Sequence, residues 1–481
     1  MYEILKLSLQ KNTVSKTHSD TICAIATPQG SGAISVLRVS GKDTRKVVGK
    51  LFQPTSQGLQ IKTIPANLMV YGHIFEEKRI VDEVMVAFFD APRSYTGENS
   101  AEISCHGSEF IQKDILRILI KHGARPALPG EFTQRAFLNG KLDLAQAEAV
   151  ADLIASDSEA SHKIALQQMR GGISNELIAL REKLLGFASL IELEIDFSGE
   201  DVEFADRKNL LTLLQEIRQH LQSLVSSFAL GNAMKSGIPV VIAGPVNAGK
   251  STLLNALLNE DRAIVSDIPG TTRDVVEDSM TLNGVKIRFA DTAGLRSTKD
   301  TIENLGIDRT YQYAGKASLI LFLSTPEENP DTIKKTLEKL VKTKGPKIPV
   351  IHLINKSEKI NDAEKKKLLI TLNYVPADAH LFISAKFKKG LQELTSSMTE
   401  ILQLHRLQSN EVLVSNLRHL NALNQALEAC IRTQKAFDQN LSTDLIAQEI
   451  RQINHHLGEI TGQITDSEIL KNIFGKFCVG K

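Results

Sequence analysis

Hydrophobic positions change their pattern three times along the 481-residue chain, and each change marks a domain boundary. From residue 21 to about 139, short β-like runs at 22–26, 33–39 and 81–89 alternate with Gly/Pro turns such as TPQG at 27–30. That mixture predicts a compact α+β domain. From about residue 140 the texture becomes amphipathic helix. Ile173, Leu177, Leu180, Leu184, Phe187, Ile191 and Ile195 recur in steps of four and three, which puts one apolar seam along a helix. A second seam, Ile446, Ile450, Ile453, Leu457, Ile460 and Ile464, follows the same steps near the C-terminus. Each seam needs a partner, and the two flank a segment of different texture. A single helical bundle with another domain inserted into it satisfies both. A long self-associating coiled coil fits less well, because Gly171, Gly172 and the stretch 196–200 interrupt the first seam.

Between the seams, from 238 to about 399, buried-looking strands at 239–243, 287–290, 319–323, 350–354 and 381–383 alternate with helical segments. That is the pattern of a doubly wound parallel α/β sheet. The domain plan is an N-terminal extension (1–20), an α+β domain (21–139), a first helical segment (140–235), an inserted α/β domain (236–399) and a second helical segment (400–481).

Composition narrows the partners. Lys plus Arg number 57 against 56 Asp plus Glu, so net charge is +1 and any nucleic-acid contact must come from a local patch. Cys23, Cys105, Cys430 and Cys478 form no C-x-x-C pair and have no metal-ligand spacing with histidine, which points to a reducing cytoplasm. No apolar run approaches the roughly 18 residues a membrane span needs. The first 20 residues lack a signal-like apolar core and read as an extension.

Residues 244–251 read GPVNAGKS, which fits G-x-x-x-x-G-K-[ST] at every required position. A strand runs into this loop and a helix leaves it, so backbone N–H groups and the helix dipole point at one spot. Within it Asn247, Ala248, Gly249, Lys250, Ser251 and Thr252 are candidate phosphate contacts. Lys250 supplies a point charge for the β- and γ-phosphates, and Ser251 a hydroxyl for Mg²⁺. The elements of a GTPase follow in order. Ser266, Asp267, Ile268, Pro269 and Gly270 lead to Thr271 or Thr272 as a second hydroxyl on Mg²⁺. Asp291, Thr292, Ala293 and Gly294 spell D-x-x-G, where the carboxylate reaches the metal through water and the Gly294 amide meets the γ-phosphate. Asn355, Lys356 and Glu358 stand in the place of the N-K-x-D base reader, and Ser384, Ala385 and Lys386 offer amides to a purine carbonyl.

Two departures matter. Glu358 replaces the usual aspartate; its carboxylate still accepts the N1–H and N2–H of guanine, with some backbone adjustment for the extra methylene. Leu295 stands where Ras-type enzymes keep a water-orienting glutamine, and leucine cannot hydrogen-bond a water. Glu303, Asp300 and Arg296 are candidates to replace it. No arginine finger is assignable, and Asn247 could instead bind a monovalent cation at that place.

These elements, the inserted architecture and three further stretches resemble the MnmE (TrmE) family of tRNA-modification GTPases. The stretches are RPALPGEF at 125–132, RAFLNGKLDLAQAE at 135–148 and the ending FCVGK at 477–481, which fits C-[ILV]-G-K. The resemblance runs from about residue 21 to the end. It implies an N-terminal folate-binding-like domain, a helical domain and a Ras-like G domain inserted into it. It implies a GTPase that, with a flavoprotein partner of the MnmG/GidA type, installs an aminomethyl-type group at carbon 5 of a tRNA wobble uridine, a reduced folate supplying the carbon. It further implies K⁺ in place of an arginine finger, G domains that pair across the nucleotide, and a constitutive homodimer held by the N-terminal domains.

Carried over by position, Asn247, Ser266, Ile268 and Thr271 would surround K⁺, and Ser251 and Thr272 would hold Mg²⁺. Glu303 would orient the attacking water. Arg38, Glu102, Lys141 and Lys481 match the folate site, although by themselves they read equally well as surface ion pairs. A free cysteine is more often a small buried hydrophobe. Cys478, however, lies in a short polar tail between Lys476 and Lys481, and the family places a functional cysteine there. His106 lacks a second ligand at suitable spacing and reads as structural. The rival reading is a GTP switch regulating ribosome assembly or signalling without modification chemistry, which needs neither a folate-like domain nor a Cys478 tail.

Overall fold

The computed structural model describes residues 20–56, 58–196, 207–261, 278–290, 317–344, 348–372, 376–402, 404, 412–439 and 441–480. Compactness divides the chain into two units, one of residues 1–151, 169–200 and 450–481, the other of residues 152–168 and 201–449.

The first unit is built on a seven-stranded sheet of β1 (Ile22–Ile25), β2 (Ile34–Ser40), β3 (Phe52–Pro54), β4 (Met69–Glu76), β5 (Arg79–Phe89), β6 (Ser100–His106) and β7 (Arg125–Pro126). Its order is β3-β4-β5-β6-β2-β1-β7, antiparallel except for the β1–β7 edge. Alternate residues of a strand face opposite sides. Leu37, Val39, Val84, Val86 and Ile103 therefore pack on one side with Ile115, Ile118 and Leu119 of the helix Glu109–Lys121. Ile22 and Ala24 gather with Ala127 and with Phe132 of the helix Glu131–Leu138.

The seams meet as expected. Ile173, Leu177, Leu184 and Ile191 of the helix Gly172–Asp196 are fully buried, as are Ile450, Ile453, Leu457 and Ile460 of Thr443–Thr461. Each such side chain contributes about 1.5–3 kcal/mol. Arg181 Nε donates to the Asn454 carbonyl oxygen at 3.1 Å, and Arg451 pairs with Glu192 at 2.7 Å. The second seam is shorter than its periodicity predicts: the helix stops at Thr461, Gly462 turns the chain at φ 80°, and Ile464 folds back against Gly458.

The second unit holds a six-stranded sheet of β8 (Ile238–Ala243), β9 (Asp278–Leu282), β10 (Val285–Ala290), β11 (Leu319–Ser324), β12 (Val350–Ile354) and β13 (Ala379–Phe382), in the order β13-β12-β11-β8-β10-β9. All five predicted strands are present. Their continuous apolar runs arise because both faces are covered: Val240, Ile242, Leu321 and Leu353 face one core, and Val241, Ile320, Phe322 and Val350 the other. The expected all-parallel sheet gains an antiparallel edge, β9, which pairs with β10. Its signal was the Asn283-Gly284 pair, both at positive φ, a two-residue hairpin turn between alternating strands. The helices Arg207–Ser236 and Leu417–Asp438 belong to the same unit, joined by Arg218 donating to Gln434 Oε1 at 3.0 Å. Among the described residues no helix is long and apolar enough to cross a membrane.

Candidate functional sites: a phosphate loop and a tail-bearing sheet

Strand β8 ends at Ala243 and the helix Lys250–Asp261 begins at the loop's lysine, so the loop hangs between a parallel strand and a helix N-terminus. Asn247 sits at φ 62°, a left-handed conformation that asparagine tolerates better than most residues, and its side chain is exposed. Gly249 has φ 97°, and a Cβ there would collide with the Asn355 side-chain amide. Only glycine fits. Lys250 Nζ is held over the loop, donating to the carbonyl oxygens of Gly244 and Pro245 at 2.8 Å each. Burial pushes its ammonium below the usual lysine value, while Glu328 pulls the other way.

Asn355 bridges two loops. Its Nδ2 donates to the Ala248 carbonyl oxygen at 2.7 Å, and its Oδ1 accepts from the Ala385 N–H at 3.0 Å. One buried amide thus ties the phosphate loop to the 384–386 loop. Lys356 adopts φ 59°, which starts the short turn Ser357–Lys359. Glu358 is exposed there, and its carboxyl lies below the ordinary range chiefly through Ser384. A second buried polar group crosses the same sheet. His352 Nε2 meets Ser324 Oγ at 2.7 Å, and His352 Nδ1 meets His380 Nδ1 at 3.0 Å. Burial, with His380 adding to it, pushes His352 down to about 3, and burial lowers His380 as well.

Ser251 and Thr252 lie in the first turn of the helix after the loop. Ser266, Asp267, Ile268, Pro269, Gly270, Thr271, Thr272, Asp291, Thr292, Ala293, Gly294, Leu295, Arg296, Asp300, Glu303 and Lys481 lie outside the described residues.

In the first unit, register pairs Arg38 of β2 with Glu102 of β6, and the guanidinium bonds Glu102 Oε1 at 2.8 and 3.1 Å. The Arg38 guanidinium also lies 5.0 Å from the Tyr95 ring centre and 5.8 Å from that of Phe132. Arg38 and Tyr95 are partly exposed and form a small cation–aromatic platform, whereas Phe132 is fully buried and supports the guanidinium from within. Lys141 bonds elsewhere, to the Pro92 carbonyl oxygen at 3.2 Å. Arg135, fully buried, pairs through its two terminal nitrogens with Asp20, Glu98 and Glu131 at 2.8–3.1 Å, while its Nε has no hydrogen-bond partner. Neither the aromatic pair nor this ion cluster was read from the sequence, since nothing local joins residues 38, 95 and 132.

The C-terminal tail docks on the same unit. Phe474 and Phe477 pack with Leu144 and Ala147, and the Gly130 N–H donates to the Cys478 carbonyl oxygen at 3.4 Å. Gly480 has φ 100°, and a Cβ there would strike the Ile25 carbonyl oxygen of β1. Cys478 itself is exposed. The other three thiols are buried, and burial raises Cys23 and Cys430 to about 12 and Cys105 to about 11, which leaves them inert at neutral pH. His106 pairs with Asp82, Nδ1 to Oδ1 at 2.7 Å, and the Asp82 contact raises its pKa; it is a structural ion pair as expected.

A doubly wound sheet whose first strand feeds such a loop, with an asparagine fastening the loop to the 384–386 segment, defines a P-loop GTPase. The family profile described as "MnmE helical domain" matches residues 144–478, a range that encloses this α/β domain, and the one described as "GTP-binding protein TrmE N-terminus" matches residues 21–141. The tRNA modification GTPase MnmE of Bacteroides thetaiotaomicron is 48% identical over 466 residues, covering 96% of this chain and 100% of that protein. The protein of the same name from Christiangramia forsetii is 47% identical over 473 residues (96% and 99%), and that from Cytophaga hutchinsonii 48% over 469 residues (98% and 99%). The chain belongs to the MnmE (TrmE) family of tRNA modification GTPases.

Proposed function

We propose that this chain hydrolyses GTP to drive wobble-uridine modification, placing an aminomethyl or carboxymethylaminomethyl group at uridine C5 of tRNA with a folate-derived carbon and a flavoprotein partner of the MnmG/GidA type. The observation that carries the reading is the docking of the Cys478 tail on the unit that bears the Arg38 platform. A tail with an exposed thiol, fastened at Gly480 to the strand beside β2, suits chemistry on a substrate. A GTP switch has no use for it.

Each implied group finds suitable residues. The phosphates of GTP would lie against the loop amides with Lys250 turned toward them. Mg²⁺ would be held by Ser251 with Thr272, where it neutralises phosphate charge. Asn247, exposed at the loop, would offer its side-chain oxygen to K⁺ together with Ser266, Ile268 and Thr271. Glu303 would orient the attacking water in place of the glutamine absent at Leu295. A reduced folate would lie against Arg38 and Tyr95, which the buried Phe132 supports, with Glu102, Lys141 and Lys481 completing the polar contacts. The domain plan belongs to the same proposal: folate-binding-like domain 21–139, helical segments 140–235 and 400–481, G domain 236–399.

Pairing completes the reading. Val246 is 61% exposed at the tip of the phosphate loop, an apolar side chain that a second G domain would cover. Met69, Tyr71 and Ile80 are exposed on β4 and β5 and suit a homodimer held by the N-terminal sheet. The assembly works in the cytoplasm.

Cys478→Ser in the full chain tests the reading. GTP turnover is expected to persist, K⁺ far exceeding Na⁺ as activator, while tRNA wobble modification with the flavoprotein is lost. Unchanged modification would refute the role of Cys478, and equal turnover in the two salts would refute the cation at Asn247.

A further inference from the structure

We propose that His455, His456 and Glu459 form a binding site for a borderline-soft divalent cation, Zn²⁺ being the best match. The three lie on the helix Thr443–Thr461. Glu459 is one turn from both histidines, four residues from His455 and three from His456, so an α-helix places its carboxylate between the two rings.

The side chains use that placement. His455 Nε2 is 3.5 Å from Glu459 Oε1, and His456 Nδ1 is 3.2 Å from Glu459 Oε2, one carboxylate oxygen toward each ring. The rings stand edge to face with centroids 5.4 Å apart. All three ligand atoms lie within 4.8 Å of one another, the one such cluster of His, Cys, Asp or Glu among the described residues. A tetrahedral Zn²⁺ with bonds of about 2.0–2.2 Å sets ligand atoms about 3.3–3.6 Å apart. The two ring nitrogens lie at such distances from different oxygens of the one carboxylate, so side-chain rotation within the 4.8 Å cluster would bring a single oxygen and both nitrogens to that spacing.

The ligand types select the metal. Two imidazoles and one carboxylate give a single negative charge and a nitrogen-rich set, which favours Zn²⁺, Co²⁺ or Ni²⁺ over the oxygen-seeking Mg²⁺ and Ca²⁺. His456 and Glu459 are 17% and 29% exposed and so partly fixed, whereas His455, at 46%, has room to close on the ion. Three protein ligands leave a fourth position open to water, the mark of an accessible site rather than a closed structural one. One neighbour opposes binding: the Arg181 guanidinium lies beside Gly458, the residue before the carboxylate, and its charge lowers affinity. A cation here would fix the last turn of the helix that precedes Gly462 and the segment bearing the tail. This site is independent of the GTP and folate readings.

The test is competition of Zn²⁺ between the full-length protein and a chromogenic chelator, in excess Mg²⁺ and in the Cys478→Ser background so that the exposed thiol does not contribute. One equivalent per chain is expected to bind at least about tenfold more weakly in H455Q/H456Q and in E459Q. The cobalt form should show the absorption of a four-coordinate nitrogen and oxygen site, and the substitutions should erase it. Unchanged Zn²⁺ affinity in both variants would overturn the proposal. H455Q alone, at an exposed position outside the buried core, guards against a folding defect and should lower affinity in the same direction.

Discussion

The phosphate loop draws its residues from eight consecutive positions, 244–251, whereas the first unit assembles the Arg38 platform (residues 38, 95, 102 and 132) and the docked tail at 478–480 from nearly the whole length of the chain. The loop's geometry is local. Left-handed backbone at Asn247 and Gly249, a strand before and a helix after are all written into neighbouring residues. The platform exists because β2, β6 and a helix meet, and the tail lies against β1 because glycine stands at 480. A contiguous site is robust to rearrangement of the remaining fold, and an assembled one depends on every docking contact.

Asn355 is where the local site becomes non-local, and its loss has the largest expected effect. Asn355→Ala leaves the buried Ala248 carbonyl and Ala385 N–H without partners. Each unpaired group costs about 1–3 kcal/mol. The two loops would separate, and GTP affinity, read by titration with a fluorescent analogue, is expected to fall more than about tenfold, equivalent to about 1.4 kcal/mol. The Arg38 unit should keep its stability. Unaltered GTP affinity would mean that the loops hold their positions without the tie.

Acid separates the two units next. His352 is held neutral by burial, with a folded pKa of about 3 against the ordinary 6.5. Between those values the unfolded chain binds the proton and the folded chain does not, so stability is full above pH 6.5 and declines as pH falls toward 3. From pH 7.5 to pH 5 the loss is about 2 kcal/mol. His106 has the opposite sign, since Asp82 raises its pKa and its contribution fades only as pH rises. Denaturation followed by hydrogen exchange should therefore show β11–β13 weakening at pH 5 while β5 and β6 hold. His352→Asn should flatten the acid dependence of the nucleotide-binding unit; persistence of the full slope would assign it to another group.

The same contrast explains what was legible. The five strands of the nucleotide-binding sheet were readable because both faces are buried and their apolar runs are unbroken, and the glycine and lysine of the loop are constrained by their own backbone. Strand β9 escaped because Asp278–Leu282 has one buried residue, Met280, and its hairpin turn carried the information instead. Ile464 continued a seam by spacing alone, yet Gly462 ends the helix two residues earlier. At the platform, Arg38 and Glu102 came from family resemblance, while Tyr95 and Phe132 carry no local signal. The His455, His456 and Glu459 cluster had its signal in the i, i+1, i+4 spacing, but the apolar seam on the same helix dominates the pattern.

Gly480→Ala gives the smallest of these effects and the sharpest division between the regions. At φ 100° an L side chain is strained, and its Cβ would press on the Ile25 carbonyl oxygen and lie 3.1 Å from Ala26 Cα. Strain of this kind costs about 1–3 kcal/mol. The cheapest relief is for the tail to leave β1, which also breaks the Gly130 to Cys478 hydrogen bond. Hydrogen exchange at Gly130 should then quicken, and wobble modification should fall about tenfold, because about 1.4 kcal/mol of lost docking is a tenfold loss of the docked state. GTP turnover should stay at the wild-type rate, since no group of the phosphate loop depends on the tail. A parallel fall in both activities would show that tail docking and the nucleotide site act as one device, and the separation between a local and an assembled site would have to be abandoned.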